Sequence, residues 1–353
     1  MTRKISLLTV IIMLFVIVLA GCEGSPSSAT PPTSASAPAS SVASTPDSGA
    51  APAGGGEKRL LTIGTASQTG TSYAIGAAIA TLLNNHMDDV QFSAQATAGG
   101  VQNIELLRSN ELDFAVVSNE AALQSLNATG TFAGKEPANF LRTVTYIGTW
   151  TQHILTNDLS IDNIEDFKGK KFAVGGAGSG VEETFRGTMR ALDINYAEDK
   201  YFSPEYMAIG NAGEALANGQ IDGAYDNQIL PAAAETTIMA SGKAKLISYT
   251  EEQIEKIQKG QPYAVRSNIP ANTYPNQDYE VISVGFNNHL MTRESIDEET
   301  VYRVCKTIFE NIDELHEIYS NLSALTAETA MTTYMTPAHD GALRYYKEIG
   351  VAK

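Results

Sequence analysis

Two stretches of this chain follow the same plan. Leu61-Thr-Ile-Gly-Thr-Ala-Ser-Gln-Thr-Gly-Thr-Ser-Tyr73 runs a short apolar strand into a turn of glycines and hydroxyl residues and then into a helix, and Lys171-Phe-Ala-Val-Gly-Gly-Ala-Gly-Ser-Gly-Val181 does so again in the second half. Such a turn leaves backbone N–H groups and hydroxyls at a helix start, where the dipole favours negative charge. It can hold a small anion without a charged side chain. A second echo trails each loop: Leu107-Arg-Ser-Asn-Glu-Leu-Asp-Phe-Ala115 and Leu216-Ala-Asn-Gly-Gln-Ile-Asp-Gly-Ala224 match position by position. The repetition predicts two similar lobes, with the two loops facing each other across a cleft.

The pattern between the loops sets the fold class. Strand Leu60 to Gly64, helix Ser72 to Asn84, strand Val90 to Thr97, helix Val101 to Arg108 and the unbroken apolar run Leu112 to Val117 predict a parallel α/β sheet covered on both faces. Strand Lys171 to Val174, helices Glu182 to Leu192 and Ala212 to Asn218, and strand Ile221 to Tyr225 repeat it. The β-prone run Arg142 to Leu155 reads as a strand crossing between lobes. A return crossing is expected between Lys245–Tyr249 and Tyr279–Phe286, with helices Glu298 to Tyr319 and Pro337 to Ile349 packing back on the first lobe. The expected boundaries are residues 59–150 plus 265–353 for lobe I and 151–264 for lobe II.

The first residues read as a targeting segment. Arg3 and Lys4 precede an apolar run to Leu19, and Leu19-Ala-Gly-Cys22 resembles a bacterial lipobox, so residues 1–22 are expected to be a lipoprotein signal with Cys22 as the lipidated residue. Residues 23–58 are dominated by Ser, Ala, Pro, Thr and Gly and read as a flexible tether from a membrane anchor. The chain is therefore expected outside the cytoplasm, held beside a membrane. Its net charge of −16 disfavours nucleic acid or anionic lipid as a partner. Cys305 is the one cysteine besides Cys22, and its apolar helical face marks it as a small core residue.

Tests for catalysis fail. Ser179 lacks the flanking glycines of a nucleophile elbow, because Ala177 and Val181 stand there, and Val181 also spoils a dinucleotide fingerprint. The five histidines have no metal-ligand spacing, so neither a metal nor a cofactor is expected, and no enzyme activity. Tests for binding do better. Polar and glycine residues gather at predicted strand C-termini: Ser67, Thr69, Gly70, Thr71 and Tyr73, then Thr97, Gly99 and Gly100, then Ser118 and Asn119, then Gly178, Ser179 and Gly180, then Asp226 and Asn227. In open α/β sheets that edge is where ligands bind. Trp150, the sole tryptophan, lies in the crossing strand and suits either the cleft wall or the core.

The ordered run Ile-Gly-Thr…Thr-Gly-Thr-Ser-Tyr73, Ala-Thr-Ala-Gly-Gly-Val-Gln-Asn103, Leu-Asp-Phe-Ala-Val-Val117, Phe-Lys-Gly-Lys-Lys-Phe-Ala-Val-Gly175, Gly-Ser-Gly180 and Ile-Pro…Thr-Tyr-Pro-Asn-Gln-Asp278 resembles the TAXI family of solute receptors for TRAP transporters. The resemblance implies a type II-like periplasmic-binding-protein fold, two α/β lobes joined by hinge strands. It also implies a monomeric receptor that hands a small carboxylate, such as glutamate, 2-oxoglutarate or another dicarboxylate, to a membrane permease. An ABC-importer receptor or a sensory co-receptor is the alternative. Carried over by position, the family's binding residues fall on Thr71, Tyr73, Thr97, Asn103 and Gly178 to Gly180. The chain departs from the family pattern at Gly100, Val181 and Ser118, which bears on ligand choice.

Overall fold

The computed structural model describes residues 58–353 except 69. The lipobox with Cys22, the tether up to residue 57 and Thr69 lie outside the described residues. No helix among the described residues is long and apolar enough to cross a membrane.

The first half of the chain forms β1 (Arg59–Gly64), α1 (Thr71–His86), β2 (Val90–Gln95), α2 (Gly100–Arg108), β3 (Phe114–Ser118), α3 (Asn119–Asn127) and the long β4 (Leu141–Thr156). The second repeat gives β5 (Lys171–Ala173), α4 (Gly180–Ala191), α5 (Tyr196–Asp199), β6 (Ser203–Glu205), α6 (Ile209–Ala217) and β7 (Gly223–Gln228). There follow α7 (Ala233–Ala240), β8 (Lys245–Leu246), α8 (Glu251–Gly260), β9 (Ala264–Arg266), β10 (Val284–Arg293), α9 (Glu298–Glu310), α10 (Ile312–Ile318) and α11 (Asp340–Glu348).

The strands join in the order β2-β1-β3-β10-β4-β7-β5-β6, with β8 on β4 and β9 on β10. The outer trios are parallel. The antiparallel pair β4 and β10 runs through both halves and ties them together. This is a type II-like periplasmic-binding-protein fold, two α/β lobes joined by strands. Register shifts on either side of His289 and Leu290 mark where β10 crosses β4, the first of them between the pairs Asn288 with Gly148 and His289 with Tyr146. Gly148 has φ 147°, and a Cβ there would lie 2.6 Å from Ile229 Cδ1, so the crossing needs a glycine.

Each lobe buries apolar surface on both sheet faces. In lobe I, Ile75, Ile79, Leu82 and Leu83 of α1 pack with Val301, Cys305 and Ile308 of α9 and Tyr346 of α11 on one face, and Ile104, Leu107, Phe132 and Met291 fill the other. In lobe II, stacked aromatics hold one face, with Phe185 4.4 Å from Tyr225 and 5.3 Å from Phe172 between ring centroids. Cys305 is fully buried, and burial pushes its thiol up to about 12.

Two expectations need correction. The return crossing does not lie between Lys245–Tyr249 and Tyr279–Phe286; it is β10, which starts at Val284 near the end of the second segment and runs to Arg293, while the first segment holds only the two-residue β8. Asn287, Asn288 and His289 break the apolar pattern, yet all three are buried and each makes a hydrogen bond, two of them to residues distant in sequence. Thr149 Oγ1 donates to Asn287 Oδ1, Asn288 Nδ2 to the Phe286 carbonyl, and the His289 ring meets the Thr332 carbonyl. The expected helix Glu298 to Tyr319 breaks at Asn311, whose backbone leaves the helical region (φ −123°, ψ 34°) and whose side chain donates to the Thr307 carbonyl.

Candidate ligand-binding cleft

A cavity of about 350 Å³ opens where the strand C-termini of both lobes meet. Its walls include Ser67, Gly70 and Thr71 from the first loop, Thr97, Gly99 and Gly100 from the second, Ser118 after β3, Ser179 and Gly180 at α4, and Asn227 at β7. Trp150 lies on its wall too, only 8% exposed, so it serves both cleft and core. The size is at the small end of the range for metabolite sites.

Five sequence-picked residues do not line this cavity, and four of them have evident reasons. Asn103 is fully buried behind it, its Nδ2 donating to the carbonyls of Thr65 (2.8 Å) and Val116 (2.9 Å) and its Oδ1 accepting from Thr97 Oγ1 (2.7 Å). It braces three strand ends and leaves no atom for a ligand. Asn119 is buried and donates to the Tyr263 carbonyl at 2.7 Å. Asp226 points into lobe II and is 3% exposed. Gly178 takes φ +67° to turn the chain into α4 and is itself exposed. Tyr73, the fifth, sits one residue past the cavity-lining Ser72. Sequence reasoning missed Gln228, Asn288, Glu120 and Thr184, which do line it. Glu120 lies in the first turn of α3 and Thr184 just past the first turn of α4, where periodicity marks them only as polar surface.

The two lobes present different chemistry. In lobe I, α1 and α2 start on Gly70 and Gly99, with no side-chain cap and no acidic residue in the first turn of either. Gly99 has φ +104°, a backbone that puts its neighbours' amides at the cavity and that only glycine adopts readily. The positive helix ends therefore open on the cavity uncompensated. In lobe II, Ser179 Oγ accepts from the Glu182 amide, and Glu182 and Glu183 occupy the first turn of α4, so that end is already satisfied. Ser118 Oγ likewise caps α3 through the Ala121 amide. Each capping hydroxyl keeps its O–H free to donate. The seat for negative charge is in lobe I, and lobe II contributes hydroxyls and amides.

Direct bonds cross between the lobes. Thr71 Oγ1 donates to Gln228 Oε1 at 2.6 Å, and Asn321 Nδ2 donates to the Pro231 carbonyl at 3.1 Å. Gln228 also donates from Nε2 to Asp226 Oδ2 at 3.2 Å. Asp226 is paired with Glu235 of α7, whose two oxygens receive no hydrogen bond from an N–H or O–H among the described residues. Burial pushes the Asp226 carboxyl up to about 6, and burial followed by the Asp226 charge pushes Glu235 well above its usual range. Two carboxyls buried side by side resist ionising together.

A stability consequence follows. A carboxyl whose folded pKa is raised contributes stability that is full below its unfolded value and is lost as pH rises through the folded one. Wild type should therefore lose stability through Asp226 as pH rises from 4 to 7. Asp226→Asn should remove that part of the slope in denaturant unfolding across this range. An unchanged slope would show that Asp226 is ionised throughout.

No histidine or cysteine lines the cavity, and no group of three or more His, Cys, Asp or Glu among the described residues could hold a metal. His153 is buried between the Thr151 carbonyl and the Tyr274 hydroxyl, and burial lowers its pKa to about 4.

The model of the NMT1-like family matches residues 63–350. Among solved structures, PhnD1 from Prochlorococcus marinus in complex with methylphosphonate is similar at 10% identity and TM-score 0.50, over 83% of this chain and 96% of that one. A binding-protein component of an ABC phosphonate transporter from Pseudomonas aeruginosa is similar at 17% identity and TM-score 0.44, over 75% and 80%. A TRAP periplasmic solute-binding protein from Sulfitobacter with bound β-D-galacturonate is similar at 12% identity and TM-score 0.42, over 83% and 91%.

Proposed function

Because the chain belongs to the NMT1-like family, we propose that it is an extracytoplasmic solute receptor that captures a small organic anion between its lobes and delivers it to a membrane permease. The observation that carries this reading is the pair of uncapped helix starts, at Gly70 and Gly99, opening on one hydroxyl-lined cavity. Three or four charge-assisted hydrogen bonds at about 1.5–3 kcal/mol each, less ordering costs, support micromolar affinity, about −8 kcal/mol. Hinging at the β4–β10 crossing would open and close the cleft.

Two readings of the anion and its transporter have support. The ordered motifs from Ile63 to Asp278 favour a carboxylate and a TRAP permease. The likeness to the methylphosphonate-bound protein favours a phosphonate or similar oxyanion and an ABC importer, and it is the stronger of the two on the comparisons. A membrane anchor through Cys22 belongs to the same proposal.

The test is a thermal-shift panel of carboxylates, phosphonates, sulfonates and neutral sugars on the purified protein, followed by titration of Trp150 fluorescence. A cognate anion at 100 times its Kd should add about 2.7 kcal/mol of stability. Shifts by neutral sugars alone would end the anion reading. Uptake that stops on ATP depletion, or instead on collapse of the ion gradient, separates the two transporter classes.

A further inference from the structure

Among the residues lining the cavity one carries a charged side chain, Glu120 in the first turn of α3, and no lysine, arginine or histidine stands with it. Its donors are all neutral. Tyr263 donates its hydroxyl to Oε1 at 3.0 Å and Gln124 its amide to Oε1 at 3.1 Å, while Thr184 reaches Oε2 from lobe II at 3.4 Å. The carboxylate has about four acceptor positions, so the loosely held Oε2 keeps capacity for a further donor.

A pure anion in this cavity would meet Glu120 as well as the favourable helix ends of lobe I. The chain around it carries a net −16. A ligand that also bears a cation removes the conflict, because its ammonium can donate to the carboxylate while its acid group takes the amides. We propose that Glu120 is a specificity residue that reads a cationic group on the ligand, making the ligand class an amine-bearing acid. The inference rests on the anion-receptor reading above.

The electrostatics of Glu120 agree. Burial raises its pKa, the Tyr263 and Thr184 hydrogen bonds oppose this, and the charge of Glu183 on α4 adds to it. The neighbouring elements supply three titratable groups, Tyr263 before β9, Glu183 on α4 and Tyr225 on β7, and none is a cation. A ligand ammonium would supply the missing counter-charge. The competing chemistry is a protonated Glu120 that donates to a second carboxylate of the ligand, and it makes the opposite prediction about amines and pH.

The experiment compares matched pairs, aspartate with succinate and glutamate with glutarate, by calorimetry on the purified protein and on Glu120→Gln. The amine-bearing member should bind about tenfold or more tighter, and Glu120→Gln should bring the two members of each pair within about threefold of each other. Equal or tighter binding of the deaminated acids by wild type, or a preference that survives in Glu120→Gln, overturns the proposal. Wild type alone gives a second readout that does not depend on the variant folding. An ammonium contact keeps the preference constant between pH 6 and pH 8.5, whereas a protonated donor weakens succinate and glutarate as pH rises. Should acids bind without preference, the Glu120 inference fails and the receptor reading stands; should no organic anion of the wider panel bind, both fail.

Discussion

Gly100→Asp is expected to cost about a hundredfold or more in ligand affinity, roughly 3 kcal/mol, while leaving the protein folded. Gly100 is the first residue of α2, and a Cβ there meets Ala121 Cβ at 3.6 Å, an ordinary contact. Aspartate in the first turn of a helix is locally favourable, so the melting temperature should hold or rise slightly. The same carboxylate would neutralise the open helix end and place a negative charge on the wall where the ligand's anion sits. Gly100→Ala, which adds bulk without charge, should cost much less. Wild-type affinity in Gly100→Asp would show that α2 is not part of the anion seat.

Asn103→Ala carries the second large effect, and it falls mainly on stability. The side chain joins the ends of β1 and β3 and the loop after β2 through Thr65, Val116 and Thr97, with no exposure to solvent. Its loss takes a donor from the buried Val116 carbonyl, at about 1–3 kcal/mol, and opens a small cavity, while Thr97 Oγ1 still reaches the Thr65 carbonyl at 3.0 Å. A total near 2–4 kcal/mol should appear as a lower midpoint in denaturant with an unchanged m-value. Affinity should fall as well, because Thr97 and the turn before α1 are positioned by the same brace. A variant that binds poorly at wild-type stability would instead put Asn103 in contact with the ligand.

Asn103 also shows where sequence reasoning stops. Its place beside Ala98-Gly-Gly100 marked a loop with chemistry, but a buried brace and a ligand-facing amide have the same local sequence. Asp226 poses the same problem: polar, at a strand end, and turned inward toward Glu235. The cleft was legible in Gly70, Thr71, Gly99 and Ser179 because the βα turns that build it are local, set by glycine conformation and helix starts within a few residues. The crossing strand β4 was legible because its β-branched run is continuous. β10 was not, since the polar Asn287 and His289 are met by Thr149 and Thr332, which lie far away in sequence, and Asn288 by the Phe286 carbonyl of its own strand. Glu120 and Thr184 entered the site only once the two lobes were placed together.

The structure also makes the two loops unequal. The repeat Leu61–Tyr73 and Lys171–Val181 suggested matching jaws. Yet Ser179, Glu182 and Glu183 already satisfy the start of α4, while Gly70 and Gly99 leave the starts of α1 and α2 open. Charge capture belongs to lobe I, and lobe II closes over it through contacts such as Thr71 to Gln228.

The most direct test is a crystal structure with a ligand from the panel bound. The acid group is expected in the cleft of lobe I, with oxygens about 2.7–3.2 Å from first-turn amides of α1 or α2 and no arginine or lysine beside it. A ligand whose anionic group sits on α4 alone, on a basic side chain or outside the cleft would contradict it.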